Sequence, residues 1–147
     1  MMERHGWSPE EVRRQLAKGG GLAGLSGVEG GDLRDIEAAA AAGSRRAELA
    51  IAVFVYQVKK TIGAFAAAMG GVDAVAFTGG IGENSSRLRR ECCDGLEFLG
   101  IRIHPERNEA GVGDRIVSAD TSRVAVLALS TNEELIVARR AYRCLHG

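Results

Sequence analysis

The sequence has no excess of charge of either sign: across 147 residues, 19 lysines and arginines face 19 aspartates and glutamates. Nucleic-acid binding normally shows a diffuse basic field, so this balance argues against a nucleic-acid partner. Cysteine is scarce and poorly spaced for a metal, with Cys92 and Cys93 adjacent and Cys144 far away. That pattern gives neither a zinc site nor a disulfide framework, and small buried side chains are the simpler reading. His5, His104 and His146 have no serine, cysteine or carboxylate partner at a recognisable spacing, so no catalytic triad or zinc signature is present. The apolar runs are broken or brief: 47–69 contains Lys59 and Lys60, and 124–129 is too short, so no membrane span is expected. Met1-Met2-Glu3-Arg4-His5 does not lead into an apolar segment, so no secretory signal is read and the expected location is the cytoplasm.

What is present is a globular composition, 46% hydrophobic and 26% charged, in a chain the size of one ordinary domain. Ser8-Pro9-Glu10-Glu11 predicts a helix start: Ser8 caps, Pro9 suits the first helical position, and Glu11 closes a capping box. Glycines 19 to 21 end that helix, and 22–28 reads as a short strand or docked loop. Asp32 caps a second helix that runs through the alanines at 38–42 and stops at Gly43. Ala47, Ile51, Phe54, Val58, Ile62, Phe65 and Met69 recur at steps of three and four, which predicts a long core helix. Residues 72–78 form an apolar run expected of a strand buried on both faces. A helix over 85–96 follows, with Leu88, Cys92 and Leu96 on one side. The remainder reads as a strand over 99–103, a polar loop over 105–113, a short strand over 115–118, a fully buried strand over 124–129 and a terminal helix over 131–145. No internal repeat is visible.

Helices alternating with apolar strands through glycine-rich or capped junctions indicate an α/β fold around a parallel or mixed sheet. Ligands in such folds gather where strands end and helices begin. One such junction is Thr78-Gly79-Gly80-Ile81-Gly82-Glu83-Asn84, whose glycines let backbone N–H groups approach a ligand, a nucleotide being the natural candidate. A tight structural turn explains the same glycines. The dinucleotide fingerprint G-x-G-x-x-G is half met, because Ser85 stands where its third glycine belongs, and a Walker A loop is absent. A dinucleotide-binding oxidoreductase rests on that partial match alone. The other junction is Ser130-Thr131-Asn132-Glu133-Glu134, where Thr131 and Glu134 form a capping box and Glu133 is suited to a hydrated magnesium ion. A favourable interaction with the helix dipole accounts for Glu133 equally well. In the segment 26–35, Asp32 is an adequate cap, and Arg34 either pairs with a neighbouring carboxylate or reaches a base or phosphate.

Gly21-Leu22-Ala23-Gly24-Leu25-Ser26-Gly27, Asp32-Leu33-Arg34-Asp35, Phe77-Thr78-Gly79-Gly80-Ile81-Gly82-Glu83-Asn84 and Thr131-Asn132-Glu133-Glu134-Leu135, in this order and spacing, resemble the acetate/propionate kinase family. The resemblance runs from about Ser8 nearly to the C-terminus. It implies the later, nucleotide-binding lobe of a ribonuclease-H-like fold of the actin and sugar-kinase superfamily, with a mixed sheet and flanking helices. It also implies a kinase that interconverts acetate plus ATP with acetyl phosphate plus ADP, using magnesium. Asp32, Leu33 and Arg34 would border the adenosine; Gly80, Ile81, Gly82, Glu83 and Asn84 would hold the ribose and phosphate side; Glu133 would bind magnesium. Glu29-Gly30-Gly31 departs from the family's serine-rich version of that loop. The family's acetate pocket and catalytic residues match nothing here, so no catalytic residue is expected among these 147, and the chain is expected to begin mid-domain. Acetate and acetyl phosphate then become partners only if an N-terminal half is supplied, and the helix over 131–146 would pack on that lobe. A homodimer is the expected assembly. The competing expectation is a truncated, non-catalytic product or a nucleotide-binding or dimerisation module.

Overall fold

The computed structural model describes residues 6–146, with the side chains of Lys18 and Glu133 outside that description, as is the segment 1–5. The chain divides into two compact units, Met1–Phe65 and Ala66–Gly147.

The first unit is helical. Helix α1 (Pro9–Lys18) starts as its sequence dictates: Ser8 Oγ accepts the Glu11 N–H at 3.2 Å, and Glu11 Oε2 accepts the Ser8 N–H at 2.9 Å. That return bond from the Ser8 backbone is the main reason the Glu11 carboxyl titrates below its ordinary value. The segment expected as a strand or docked loop is instead α2 (Gly21–Ser26), followed by a 3-10 turn at Glu29–Gly31. Ser26 explains the difference, since its hydroxyl donates to the Leu22 carbonyl at 2.6 Å and accepts the Val28 N–H at 3.1 Å. This local side-chain bonding closes a helical turn, so Leu22 and Leu25 share a face rather than alternate. Helix α3 (Leu33–Ala41) is capped by Asp32, as expected, and α4 is the long helix Arg45–Met69. Arg46 donates to the carbonyls of Gly24 at 2.9 Å and Leu25 at 3.2 Å, tying α2 to the start of α4.

Burial along α4 differs from the predicted core stripe. Ala47, Ala50 and Ile51 are buried, whereas Phe65 and Met69 are 61% and 67% exposed. An apolar face is buried only where a second surface meets it, and these residues supply one mainly along the helix's first half. Contrary to the sequence expectation, α4 is long and apolar enough to cross a membrane, with an 18-residue stretch of mean hydropathy 1.4. The Lys59 and Lys60 pair does not lower that average far enough. One such helix is weak evidence, because core helices of soluble proteins share the property.

The second unit holds the sheet. Strand β1 (Ala74–Phe77) leads into α5 (Gly79–Asn84) and α6 (Ser86–Cys93). A 3-10 turn at Glu97–Leu99, α7 (Pro105–Glu109), β2 (Arg115–Ile116), β3 (Ala125–Ala128) and α8 (Glu133–His146) follow. The strand order is β1-β3-β2, with β1 parallel and β2 antiparallel to β3, so the expected mixed sheet is present. Central β3 is the most buried strand, with Val126 and Ala128 fully enclosed. Strand β1 was expected to be buried on both faces but is half exposed, because it occupies an edge with one neighbour.

Three further boundaries moved. Helix α6 stops at Cys93 rather than 96, although Leu88, Cys92 and Leu96 are all buried as its pattern predicts. Residues 99–103 make only an isolated bridge, Ile103 to Ser118, because Gly100 O accepts the N–H groups of Arg123 and Val124 and pins the segment as a loop. The polar stretch after His104 begins with helix α7, for which Pro105 supplies a suitable first residue. Cys92 and Cys93 are buried and outside any disulfide, in line with their reading as small core side chains; Cys144 is exposed.

Candidate functional site

Because β1 and β3 are parallel neighbours paired up to Phe77 and Ala128, the two strand-to-helix junctions lie side by side. The Leu129 N–H donates to the Phe77 carbonyl at 2.9 Å, continuing the pairing past the strand ends. Between the junctions is an open cleft of about 640 Å³ lined by Gly79, Gly80, Ser130, Thr131, Asn132 and Glu134. This is the crevice beyond the carboxyl ends of parallel strands in which α/β proteins bind ligands.

The glycines have separate tasks. Gly79 takes φ 70°, a left-handed conformation that costs glycine little, so the chain leaves β1 and turns at once into α5. A Cβ on Gly82 would stand 2.9 Å from the Phe77 carbonyl carbon, so α5 can lie this close to β1 only without a side chain there. Gly80 has open space beside it and lines the cleft. Asn84 donates from Nδ2 to the Gly80 carbonyl at 2.8 Å, bracing the turn from within.

On the opposite wall the helix start is displaced from the expected one. Asn132 Oδ1 accepts the Leu135 N–H at 2.9 Å, so Asn132, not Thr131, caps α8. The helix begins at Glu133, which puts Leu135 rather than Glu134 at the third helical position and dissolves the Thr131 and Glu134 capping box. Thr131 and Glu134 line the cleft instead. The side chain of Glu133, the expected magnesium ligand, lies outside the described residues. Among those described, no group of three or more histidines, cysteines or carboxylates is placed to hold a metal.

The two walls are connected through Glu83. Its carboxylate accepts the Ser130 hydroxyl at 2.7 Å, while the Ser130 N–H donates to Asp114 Oδ1 at 2.8 Å. Its carbonyl accepts from Arg89 Nη1 at 2.7 Å and from Arg115 Nη2 at 3.4 Å. Arg89 is 1% exposed, and burial first, then the charge of Arg115, lowers its pKa. Glu83, Asn84, Ser86, Arg89, Glu109 and Arg115 are among the residues around a second, smaller cavity of about 140 Å³. Sequence reading missed Arg89. The available signal was that 88, 89, 92 and 93 form one contiguous helical stripe, so an arginine there faces inward with Leu88, Cys92 and Cys93.

In the first unit, Asp32 Oδ1 accepts the Arg34 N–H at 2.9 Å, and the Arg34 guanidinium returns to the carboxylate at 3.2 Å and 2.8 Å. The Arg34 side chain donates to Asp32 and raises its own pKa, while the Asp32 carboxyl is held down to about 2. Of the two possibilities for Arg34, the structure shows the ion pair, on a side chain that is 84% exposed. Leu33 is 3% exposed and belongs to the core of this unit.

A three-stranded mixed sheet with flanking helices and a crevice at the ends of two parallel strands defines an α/β unit of the kind that binds ligands at such crevices. The profile of the Acetokinase family matches residues 1–139, and the chain belongs to that family. It is 47% identical over 138 residues to the acetate kinase of Phocaeicola vulgatus, covering 94% of this chain and 34% of that protein. It is likewise 47% identical over 147 residues to the acetate kinase of Coprothermobacter proteolyticus, covering 100% and 36% respectively. The crystal structure of Porphyromonas gingivalis acetate kinase superposes with a TM-score of 0.85 at 40% identity, covering 98% of this chain and 36% of that one. A propionate kinase from Francisella tularensis gives a TM-score of 0.81 at 33% identity, covering 94% and 35%. The chain thus spans about a third of the length of the curated relatives it matches, as a fragment of the family fold.

Proposed function

We propose that these residues form the nucleotide side of an acetate kinase, which in its whole form transfers a phosphoryl group between ATP and acetate in the cytoplasm. The observation that carries this reading is the cleft shared by the two junctions, with Gly80 on one wall and Ser130, Thr131, Asn132 and Glu134 on the other. In this reading the Gly79 and Gly80 backbone approaches the phosphates, and Gly80 to Asn84 border the ribose and phosphate side. Asp32, Leu33 and Arg34 border the adenosine, with Arg34 exchanging its Asp32 partner for the ligand.

Magnesium fits the oxygen donors available at the cleft: Ser130, Thr131 and Glu134 line it, and Glu133 begins the helix on that wall. Magnesium keeps several waters and accepts one or two carboxylates plus phosphate oxygens. When bound, it would neutralise phosphate charge. The chain's own residues orient the nucleotide and shape the wall against which it lies.

Phosphoryl transfer depends on positioning and charge stabilisation on both sides of the reacting group, and no residue here is proposed as catalytic. The 147 residues alone are therefore expected to bind ADP with magnesium weakly and to form no acetyl phosphate. Calorimetric titration with ADP and a hydroxamate assay with the pure protein check both points; robust acetyl phosphate formation would overturn this division of labour. A non-catalytic pairing module is a second reading, supported by the exposed apolar side chains of α8, including Leu135, Ile136, Val137 and Leu145. In either reading these faces await a partner, a second copy or the rest of an acetate kinase.

A further inference from the structure

Arg89 is a buried guanidinium whose hydrogen-bond acceptors are all neutral. Nε donates to Asn108 Oδ1 at 2.7 Å, Nη2 to the Asn108 carbonyl at 2.6 Å, and Nη1 to the carbonyls of Gly82 at 2.8 Å and Glu83 at 2.7 Å. Among the described residues it makes no ion pair, and the nearby Arg115 repels it. A buried charge without a counter-charge is a costly way to fill a core, and an apolar side chain would pack there at lower cost. What an arginine adds is a rigid planar fork of donors that reaches several acceptors at fixed angles. Here the fork grips two consecutive carbonyls at the end of α5.

The grip is braced from behind. Asn108, itself buried, donates from Nδ2 to the Ser86 carbonyl at 2.8 Å, so α7, the start of α6 and the end of α5 close into one ring of bonds. Neither Arg89 nor Asn108 lines the cleft. Its effect passes through α5: the far end of that helix is Gly79 and Gly80, and Glu83 reaches across to Ser130 on the opposite wall.

We propose that Arg89, braced by Asn108, is a positioning residue that sets the angle of α5 and the spacing of the two walls of the nucleotide cleft, acting through the backbone rather than on the nucleotide. This rests on the nucleotide reading above, and two measurements separate the two ideas. In Arg89→Lys, which keeps a positive charge but loses the fork, hydrogen exchange at Ser85, whose N–H donates to Ile81, accelerates about tenfold. Exchange at Ala125, bonded to Asp73 in the sheet, stays as in the parent chain. The dissociation constant for ADP with magnesium rises by about the same factor. Asn108→Ala, which removes one acceptor and the brace but leaves the arginine, shows the same local pattern more weakly and serves if Arg89→Lys does not fold.

Equal acceleration at Ser85 and Ala125 would reduce Arg89 to a general core residue and overturn the proposal, as would unchanged exchange at Ser85. If the parent chain does not bind ADP, the nucleotide reading falls, and the exchange contrast alone decides whether the clamp on α5 exists.

Discussion

The junctions after β1 and β3 begin alike, as neighbouring parallel strands handing over to helices, but they are held very differently. After β1, α5 is pressed against Phe77 at Gly82, braced by Asn84, and gripped by Arg89 and Arg115. After β3, Asp114 and Glu83 hold Ser130, Asn132 caps the helix, and α8 then runs exposed along its length, with Leu145 at 79%. One wall of the cleft is therefore held by packing and bonds along its whole helix, whereas on the other Ser130 is tied to the rest of the fold and the helix beyond it rests on a local cap. The difference teaches that two junctions of the same kind can be held to very different degrees within one chain.

The largest test of that contrast is Gly82→Ala. The new Cβ would meet the Phe77 backbone at 2.9 Å, which no rotamer change can relieve, so α5 must move away from β1. Overpacking of this kind is expected to cost about 2 kcal/mol, read as a lowered urea midpoint with unchanged slope. An unchanged midpoint would show that the first wall is as loose as the second. Asn132→Ala is the matching change on the other side. It removes the acceptor of the Leu135 N–H and is expected to cost about 1 kcal/mol of helix stability. Loss of far-UV helix signal without faster exchange in β3 is the expected result; faster exchange in β3 would show that α8 supports the sheet.

The same contrast governs how much could be read from the sequence. The Ser8 and Glu11 capping box, the Asp32 cap and the buried positions 88, 92 and 96 were all legible, because each depends on residues no more than four apart. The Leu99, Ile101 and Ile103 alternation reads as a strand, yet the Arg102 N–H donates to the Ser122 hydroxyl 20 residues away and the segment is a loop. Arg89, despite its place in the stripe with Leu88, Cys92 and Cys93, was missed for a related reason. A charged residue between Arg87 and Arg90 reads as solvated, and its acceptor Asn108 lies 19 residues further on. The cleft's two walls were each found as junctions, but their adjacency is a property of strand pairing, which the local sequence does not state. The exposed end of α4 was misread because a periodic apolar face reports that cover is needed, not that it is present.

The smallest effect separates two caps that look equivalent in sequence. Asn132 is neutral, so its cap on α8 is insensitive to acid, whereas the Asp32 cap on α3 is a carboxylate. Its folded pKa is held near 2, below the ordinary 3.8, chiefly by the Arg34 side chain and then by the Arg34 backbone N–H. A depressed carboxyl stabilises the fold fully above its unfolded value and loses that contribution as pH falls from about 4 through 2. Carbon NMR of the Asp32 carboxyl should therefore show a midpoint near 2 at low salt. Both partners are exposed, so added salt screens the pair and should move the midpoint upward, towards the ordinary value. A midpoint already at 3.8 in low salt would mean that the Arg34 guanidinium does not rest on Asp32 in solution. Such a result would leave Arg34 unengaged even without nucleotide, and the proposed exchange of partners on binding would lose its starting point.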